Sequence, residues 1–201
     1  APRERVHINV PNENWEFIVR SQLAAYDCPV KNVRFFHIAT NECWCRDHGP
    51  AFVQKRGRNG RRQMAIVDWG YNAWGGKYPP FDADDAVPQR IAEQLGLPWF
   101  QTPVVMEGGA VDFNGAGCVL TTESVLLNKN RNPHLSKRQI ERVLRDWYGQ
   151  DKVLWLGEGI EGDDTDGHVD DLARFLDART IVTALEDDPC DANFKPLREN
   201  L

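Results

Sequence analysis

An excess of positive charge is missing from this 201-residue sequence: lysine and arginine number 24 against 30 aspartates and glutamates, for a net charge of −6. The basic footprint of a nucleic-acid binder is therefore absent, and no nucleic-acid partner is expected. The one basic run, Lys55, Arg56, Arg58, Arg61 and Arg62, surrounds Gly57, Asn59 and Gly60 and reads as a solvated hairpin turn. No stretch approaches the roughly 20 apolar residues of a membrane helix, so no membrane partner is expected. Cysteine is sparse, with five residues at irregular spacing, which excludes a disulfide scaffold. Residues 1–10 are charged and lack the apolar segment of a secretory signal. Together these point to a reducing, cytoplasmic setting. What remains is ordinary for a globular protein, 41% hydrophobic and 27% charged. A chain this long buries about 70% of its unfolded surface, enough for a real core.

Strands and helices alternate along the chain. Residues 6–10 and 33–38 are β-rich. Residues 15–26 read as a helix with Trp15, Ile18, Val19 and Leu23 on one face. Residues 51–54 and 63–69 flank the basic turn as a hairpin. Residues 86–95 form a helix with Asp82, Asp84 and Asp85 at its positive end and Gly96 as its stop. Residues 136–148 are the clearest helix: Ser136 and Gln139 fit a capping box, Ile140, Val143, Leu144 and Trp147 form the stripe, and Gly149 ends it.

A longer period overlies this. Asp47, Glu107 and His168 each introduce a strand, a turn and a second strand, at spacings of 60 and 61 residues. A helix follows the hairpin, with another expected near Asn193, and then a further strand. This is a repeated β-β-α-β unit in a single α+β domain, divided roughly as 1–45, 46–106, 107–167 and 168–201. Such units stack around an axis. Equivalent positions would converge there, and convergent buried ionisable groups are costly unless paired or functional.

Each unusual stretch admits rival readings. Cys43, Cys45 and His48 could ligate a metal, as in a metal hydrolase, but the spacing is poor and no second ligand pair follows. Trp44 and Asp47 could receive a cation, one through its ring face and one through its carboxylate. Asp47 could instead pair with Arg46. Residues 74–81 hold two prolines, two glycines and three aromatics; this stiff loop either walls a pocket or packs on the surface. Glu107, followed by two glycines that allow close backbone approach, either caps its turn or points into a polar centre. The acidic run 157–171 matches part of a calcium loop but has Gly162 and Ala173 where ligands are needed. Asp170 beside His168, on one strand face, should raise the histidine's basicity.

Several of these segments together resemble the agmatine deiminases, in the peptidylarginine-deiminase-like branch of the guanidine-modifying enzymes. The similar stretches are Trp44-Cys45-Arg46-Asp47 with Gly49-Pro50, Asn72 to Tyr78, Glu107-Gly108-Gly109, Leu120 to Glu123, Leu127 to Pro133 and Gly162 to Asp170. The resemblance implies a pentein fold, a pseudo-fivefold propeller of which about three units are present. It implies agmatine as substrate and no cofactor. It assigns guanidinium-gripping roles to Asp47 and Asp170, acid–base catalysis to His168, orientation of His168 to Glu107, and a substrate-bordering role to Trp44. The family's nucleophile is a cysteine in a Gly-rich His-Cys motif, and Cys28, Cys43, Cys45, Cys118 and Cys190 all lie outside such a context. The chain is therefore expected to be an internal fragment that does not turn substrate over alone. Arginine or peptidyl arginine is the runner-up substrate, and a non-catalytic guanidine-binding chain the other alternative. Open propeller edges lead to an expectation of marginal stability or self-association, with a homodimer among the forms.

Overall fold

The computed structural model describes residues 4–57 and 60–201. Arg58 and Asn59 of the basic turn lie outside the described residues. Strand β1 (Val6–Val10) is followed by a helix, Glu13–Ala25, and by β2 (Val33–His37), which pairs with β1 in parallel. The hairpin around the basic turn forms: β3 (Ala51–Arg56) runs antiparallel to β4 (Arg62–Gly70). A helix, Val87–Leu95, then returns the chain so that β5 (Trp99–Val105) joins β4 in parallel, as a helical crossover permits.

The same construction follows at once. Strands β6 (Val111–Phe113) and β7 (Cys118–Thr122) are antiparallel, the helix Lys137–Tyr148 crosses over, and β8 (Lys152–Leu156) lies parallel to β7. A last antiparallel pair, β9 (Ala173–Phe175) with β10 (Ile181–Thr183), leads to a helix at Phe194–Glu199. Among the described residues, two whole β-β-α-β units thus stand between two partial ones, as small open sheets rather than a closed barrel.

Local chemistry explains the clearest element. Gln139 accepts from the Ser136 backbone N–H at 2.9 Å, completing the capping box, and Gly149 takes the left-handed conformation (φ 65°) that ends the helix. Its stripe buries Ile140 and Leu144 among Val119, Val125, Leu126 and Met106. A second cluster gathers Phe36, Ile66, Val87 and Ile91, and a third gathers Leu120, Val169, Leu172 and Leu197. Among the described residues no helix is long and apolar enough to cross a membrane.

Two expectations need correction. The first helix spans Glu13–Ala25, capped by the Asn12 side chain, but none of its residues is buried. Trp15 and Ile18 of its apolar face are exposed. Periodicity marks a face able to pack and says nothing of what covers it. The aspartates before Val87 form their own turn, Asp82–Asp85, and two of them do more than face a dipole. Buried Asp84 accepts the Asn41 N–H at 2.8 Å and the Glu42 N–H at 3.2 Å, while Asn41 Oδ1 accepts the Ala83 N–H at 2.9 Å. Asp85 accepts the Tyr71 N–H at 2.7 Å.

Asp68 on β4 is buried and its Oδ1 has no hydrogen-bond partner among the described residues. Burial, with Asp85 nearby, pushes its carboxyl up to about 6. A raised folded-state value means a contribution held below the ordinary pH of about 4 and lost as pH rises through 6. Ionised Asp68 then costs the fold on the order of 2 kcal/mol. Asp68→Asn should accordingly melt higher than the native chain at pH 7.5, with the gap closing near pH 4. Equal melting temperatures at both values would show that the buried carboxylate carries no such cost.

Candidate active site

The three period-matched residues do meet. Asp47 sits on the short helix Cys45–His48, Glu107 just past β5 at the head of the 3-10 turn Gly108–Ala110, and His168 at the head of the 3-10 turn Val169–Asp171. His168 Nδ1 lies 3.6 Å from Asp47 Oδ1 and 3.9 Å from Asp170 Oδ1, and its Nε2 lies 3.9 Å from Glu107 Oε2. Glu107 and His168 are 0% and 2% exposed. At these lengths the groups attract one another without formed hydrogen bonds. Asp170 belongs to a 3-10 turn, not to the strand face expected from sequence.

Glycine makes this convergence possible. A side-chain carbon on Gly109 would lie 2.5 Å from His168 Nδ1 and 2.8 Å from Asp47 Oδ1, and one on Gly108 would lie 2.0 Å from the Arg46 carbonyl. The Gly109 N–H also donates to Asp47 Oδ1 at 3.0 Å. The other Asp47 oxygen accepts from Trp74 Nε1 at 3.2 Å. Asp47 therefore takes neutral donors rather than the Arg46 ion pair considered from sequence.

Trp74 brings its indole there through an unusual backbone. Ala73, Trp74, Gly75 and Gly76 all have positive φ, between 50° and 87°. Strain of this kind persists only where surroundings over-determine it. Here Gly75 N–H donates to Asn72 Oδ1 at 2.9 Å, Lys77 Nζ reaches Asp166 Oδ1 at 2.6 Å, and Tyr78 Oη donates to Asp164 at 2.7 Å. The stiff aromatic loop thus walls a pocket, the first of its two readings. That cleft, of about 530 Å³, is lined by Glu42, Trp44, Asp47, Trp74, Tyr78, Asp164, His168 and Asp170 among others. Trp44 stands at it, 57% exposed. A larger groove of about 940 Å³ near Phe52, Phe100 and Tyr148 has no acid or histidine among its described lining residues.

The charges are matched to one more cation. Burial opposes a charge on His168, but Glu107, Asp47 and Asp170 outweigh it and raise its basicity. Glu107 contributes ahead of Asp170, the neighbour singled out from sequence. Burial raises the Asp47 carboxyl despite His168, Gly109 and Trp74, and burial likewise raises Asp170. Glu107, although buried, is held below the usual carboxylate range by His168 and Arg131. The Arg131 Nε donates to Glu107 Oε1 at 2.7 Å, so Glu107 points into a polar centre rather than capping its turn. Two carboxylates facing an aromatic cleft suit a planar, delocalised cation.

Among the described residues, no group of three or more His, Cys, Asp or Glu side chains is placed to hold a metal ion. Cys43 and Cys45 are exposed, whereas His48 is buried with its ring 5.7 Å from that of Tyr71. In the acidic run, Asp163 accepts from the backbone N–H groups of Thr165, Gly167 and His168 at 2.7, 2.8 and 3.1 Å, so it shapes the loop that presents His168. None of the five cysteines lines the cleft. Arg131 is the site residue that sequence reasoning leaves without a role; Trp74 is read there only as part of a loop and Gly109 only as allowing close approach, although each lies inside a quoted motif.

The whole chain, residues 1–201, matches the Porphyromonas-type peptidyl-arginine deiminase family. The agmatine deiminase of Pseudomonas putida strain F1 is 42% identical over 168 residues, which cover 81% of this chain and 45% of that protein. Among solved structures, an agmatine deiminase of C. jejuni with substrate bound superposes with a TM-score of 0.82 at 34% identity, covering 97% of this chain and 55% of that one. The agmatine deiminase of Enterococcus faecalis gives a TM-score of 0.83 at 35% identity, covering 96% and 51%. The chain thus spans about half the length of these relatives. Its motifs, its open mixed sheets and its convergent acids and histidine have one common explanation: the chain belongs to the Porphyromonas-type peptidyl-arginine deiminase family.

Proposed function

We propose that this chain carries the guanidinium-binding and acid–base half of an agmatine deiminase, which converts agmatine to N-carbamoylputrescine and ammonia. The observation that carries the reading is the meeting of Asp47, Glu107, His168 and Asp170 at one aromatic-walled cleft. Similarity to relatives named agmatine deiminase favours agmatine over arginine or peptidyl arginine.

In this reading Asp47 and Asp170 grip the guanidinium, fixing its plane and position. Trp44 borders the substrate. A cysteine from outside this chain gives its thiol proton to His168 and attacks the guanidinium carbon as the thiolate. His168 gives its proton to the departing ammonia, leaving an S-amidino thioether. Neutral His168 then takes one proton from water as the water adds to that carbon, and the sulfur leaves as the thiol with the other. Glu107 holds His168 in orientation through both steps. A pentein propeller completed by further units would supply the missing wall and nucleophile. The setting we infer is the cytoplasm, with a homodimer as the assembly and no nucleic-acid or membrane partner.

Calorimetric titration tests the binding half directly. The chain should bind agmatine more tightly than arginine, because the arginine carboxylate would meet Glu42, Asp164 and Asp171 at the cleft. Asp170→Asn should weaken agmatine about tenfold or more, the loss of one charge-assisted contact. Equal heats for Asp170→Asn and the native chain would remove Asp170 from the guanidinium grip. Absence of any agmatine binding would favour an inert piece over a guanidine-binding one.

A further inference from the structure

Behind the acid–base pair lies a guanidinium of the protein's own. Arg131 is 4% exposed and every arm of its fork is used. Its Nε donates to Glu107 Oε1 at 2.7 Å, Nη1 to Asp166 Oδ2 at 2.5 Å and to Asn130 Oδ1 at 2.8 Å, and Nη2 to the Thr165 carbonyl at 2.9 Å. Asp166 is shared: its Oδ1 accepts from Lys77 Nζ at 2.6 Å, and its Oδ2 also accepts from Asn130 Nδ2 at 3.0 Å. Asn72, which caps the left-handed run, donates to the Asn130 carbonyl at 2.9 Å. A side-chain carbon on Gly75 would lie 2.9 Å from Arg131 Nη1, so the strained loop rests directly on this guanidinium.

We propose that Arg131 is a positioning residue that fixes the Glu107 carboxylate against His168 and, through Asp166, ties that carboxylate to the loop holding Trp74 on Asp47. The inference deepens the acid–base role given above to Glu107 and rests on it. A planar fork can span four acceptors from three segments, whereas an ammonium is a point charge and cannot. The two ends of the cleft, Trp74–Asp47 and Glu107–His168, thereby share one support. The groups facing Glu107 are Arg131, His168, Asp47 and Tyr71, and Arg131 alone among them forms a hydrogen bond to its carboxylate.

The test is nuclear magnetic resonance on the full chain, reading the Glu107 carboxyl carbon through a pH titration and the exchange rate of the Trp74 indole N–H. Arg131→Gln should raise the Glu107 midpoint by about one pH unit or more, since the buried carboxylate loses its cation. Asp166→Asn should leave Glu107 close to its native midpoint and speed Trp74 indole exchange about tenfold or more, as a locally opened segment does. Arg131→Lys should keep Glu107 low but release the indole. A folded Arg131→Gln chain with an unmoved Glu107 would overturn the proposal. Should that variant not fold, an Arg131→Lys chain with both signals unchanged would overturn it equally. Neither signal depends on agmatine. A chain that shows these shifts yet binds no agmatine would refute the functional reading and leave this one standing.

Discussion

Gly109→Ala is expected to abolish guanidine binding in a chain that still folds. The added methyl carbon would lie 2.5 Å from His168 Nδ1, 2.8 Å from Asp47 Oδ1 and 3.0 Å from Asp170 Oδ1. The backbone at Gly109 is not in the left-handed region, so alanine brings no conformational penalty of its own there. The whole effect is steric, and it falls on the carboxylates that would hold the ligand. Of the three groups, His168 and Asp47 belong to a packed centre with little room to retreat. Agmatine affinity should fall at least 100-fold, about 3 kcal/mol. Gly157→Ala is the matched control, since its added carbon would meet only Asn200 Oδ1 at 3.6 Å. Calorimetry on the two variants, with a melt of each, separates the site from the fold. Binding within tenfold of native in Gly109→Ala would mean that the guanidinium does not lie between Asp47 and Asp170.

That glycine also shows what the sequence makes legible. The 60- and 61-residue spacing places Asp47, Glu107 and His168 at one centre before any coordinate is known, because a repeated unit presents equivalent positions to its axis. The two glycines after Glu107 announce close approach, although not what approaches. Trp74 and Arg131 are opaque for a different reason. Their partners, Asp47 and Glu107, lie 27 and 24 residues away, in the same unit but on other segments of it. No local period encodes a contact of that kind. Asp84 misleads similarly: before a helix an aspartate suggests a dipole partner, and its true ligands are N–H groups some forty residues earlier. The first helix fails in the opposite sense, since its period and Asn12 cap are right while its apolar face stays uncovered.

Agmatine affinity should climb with pH, and His168 should be the reason. Burial works against its charge, but Glu107, Asp47 and Asp170 keep the imidazole protonated above its ordinary value of 6.5. In the free chain that imidazolium already offsets part of the charge of Asp47 and Asp170, from 3.6 and 3.9 Å. An incoming guanidinium wants the same two carboxylates. It repels the imidazolium and lowers the histidine's basicity, so binding expels a proton wherever free His168 is charged. Affinity then rises by up to about tenfold per pH unit until the folded-state value of His168 is passed. At lower pH the fall steepens further as Asp47 and Asp170, themselves raised by burial, take protons. The fold responds with the opposite sign. The stabilisation that His168 gains from its acids is complete below 6.5 and fades as pH rises through its raised value. Titration in two buffers of different ionisation heat would read the released proton directly. His168→Gln, a neutral replacement, should flatten affinity above pH 6.5 and abolish the release. An affinity for the native chain that stays level or falls between pH 6 and 9 would sink the competition between imidazolium and ligand. If the competition holds, binding delivers His168 neutral beside the guanidinium. That form can take the proton of an attacking thiol and later hand it to ammonia, so substrate binding itself would set the histidine for the first chemical step.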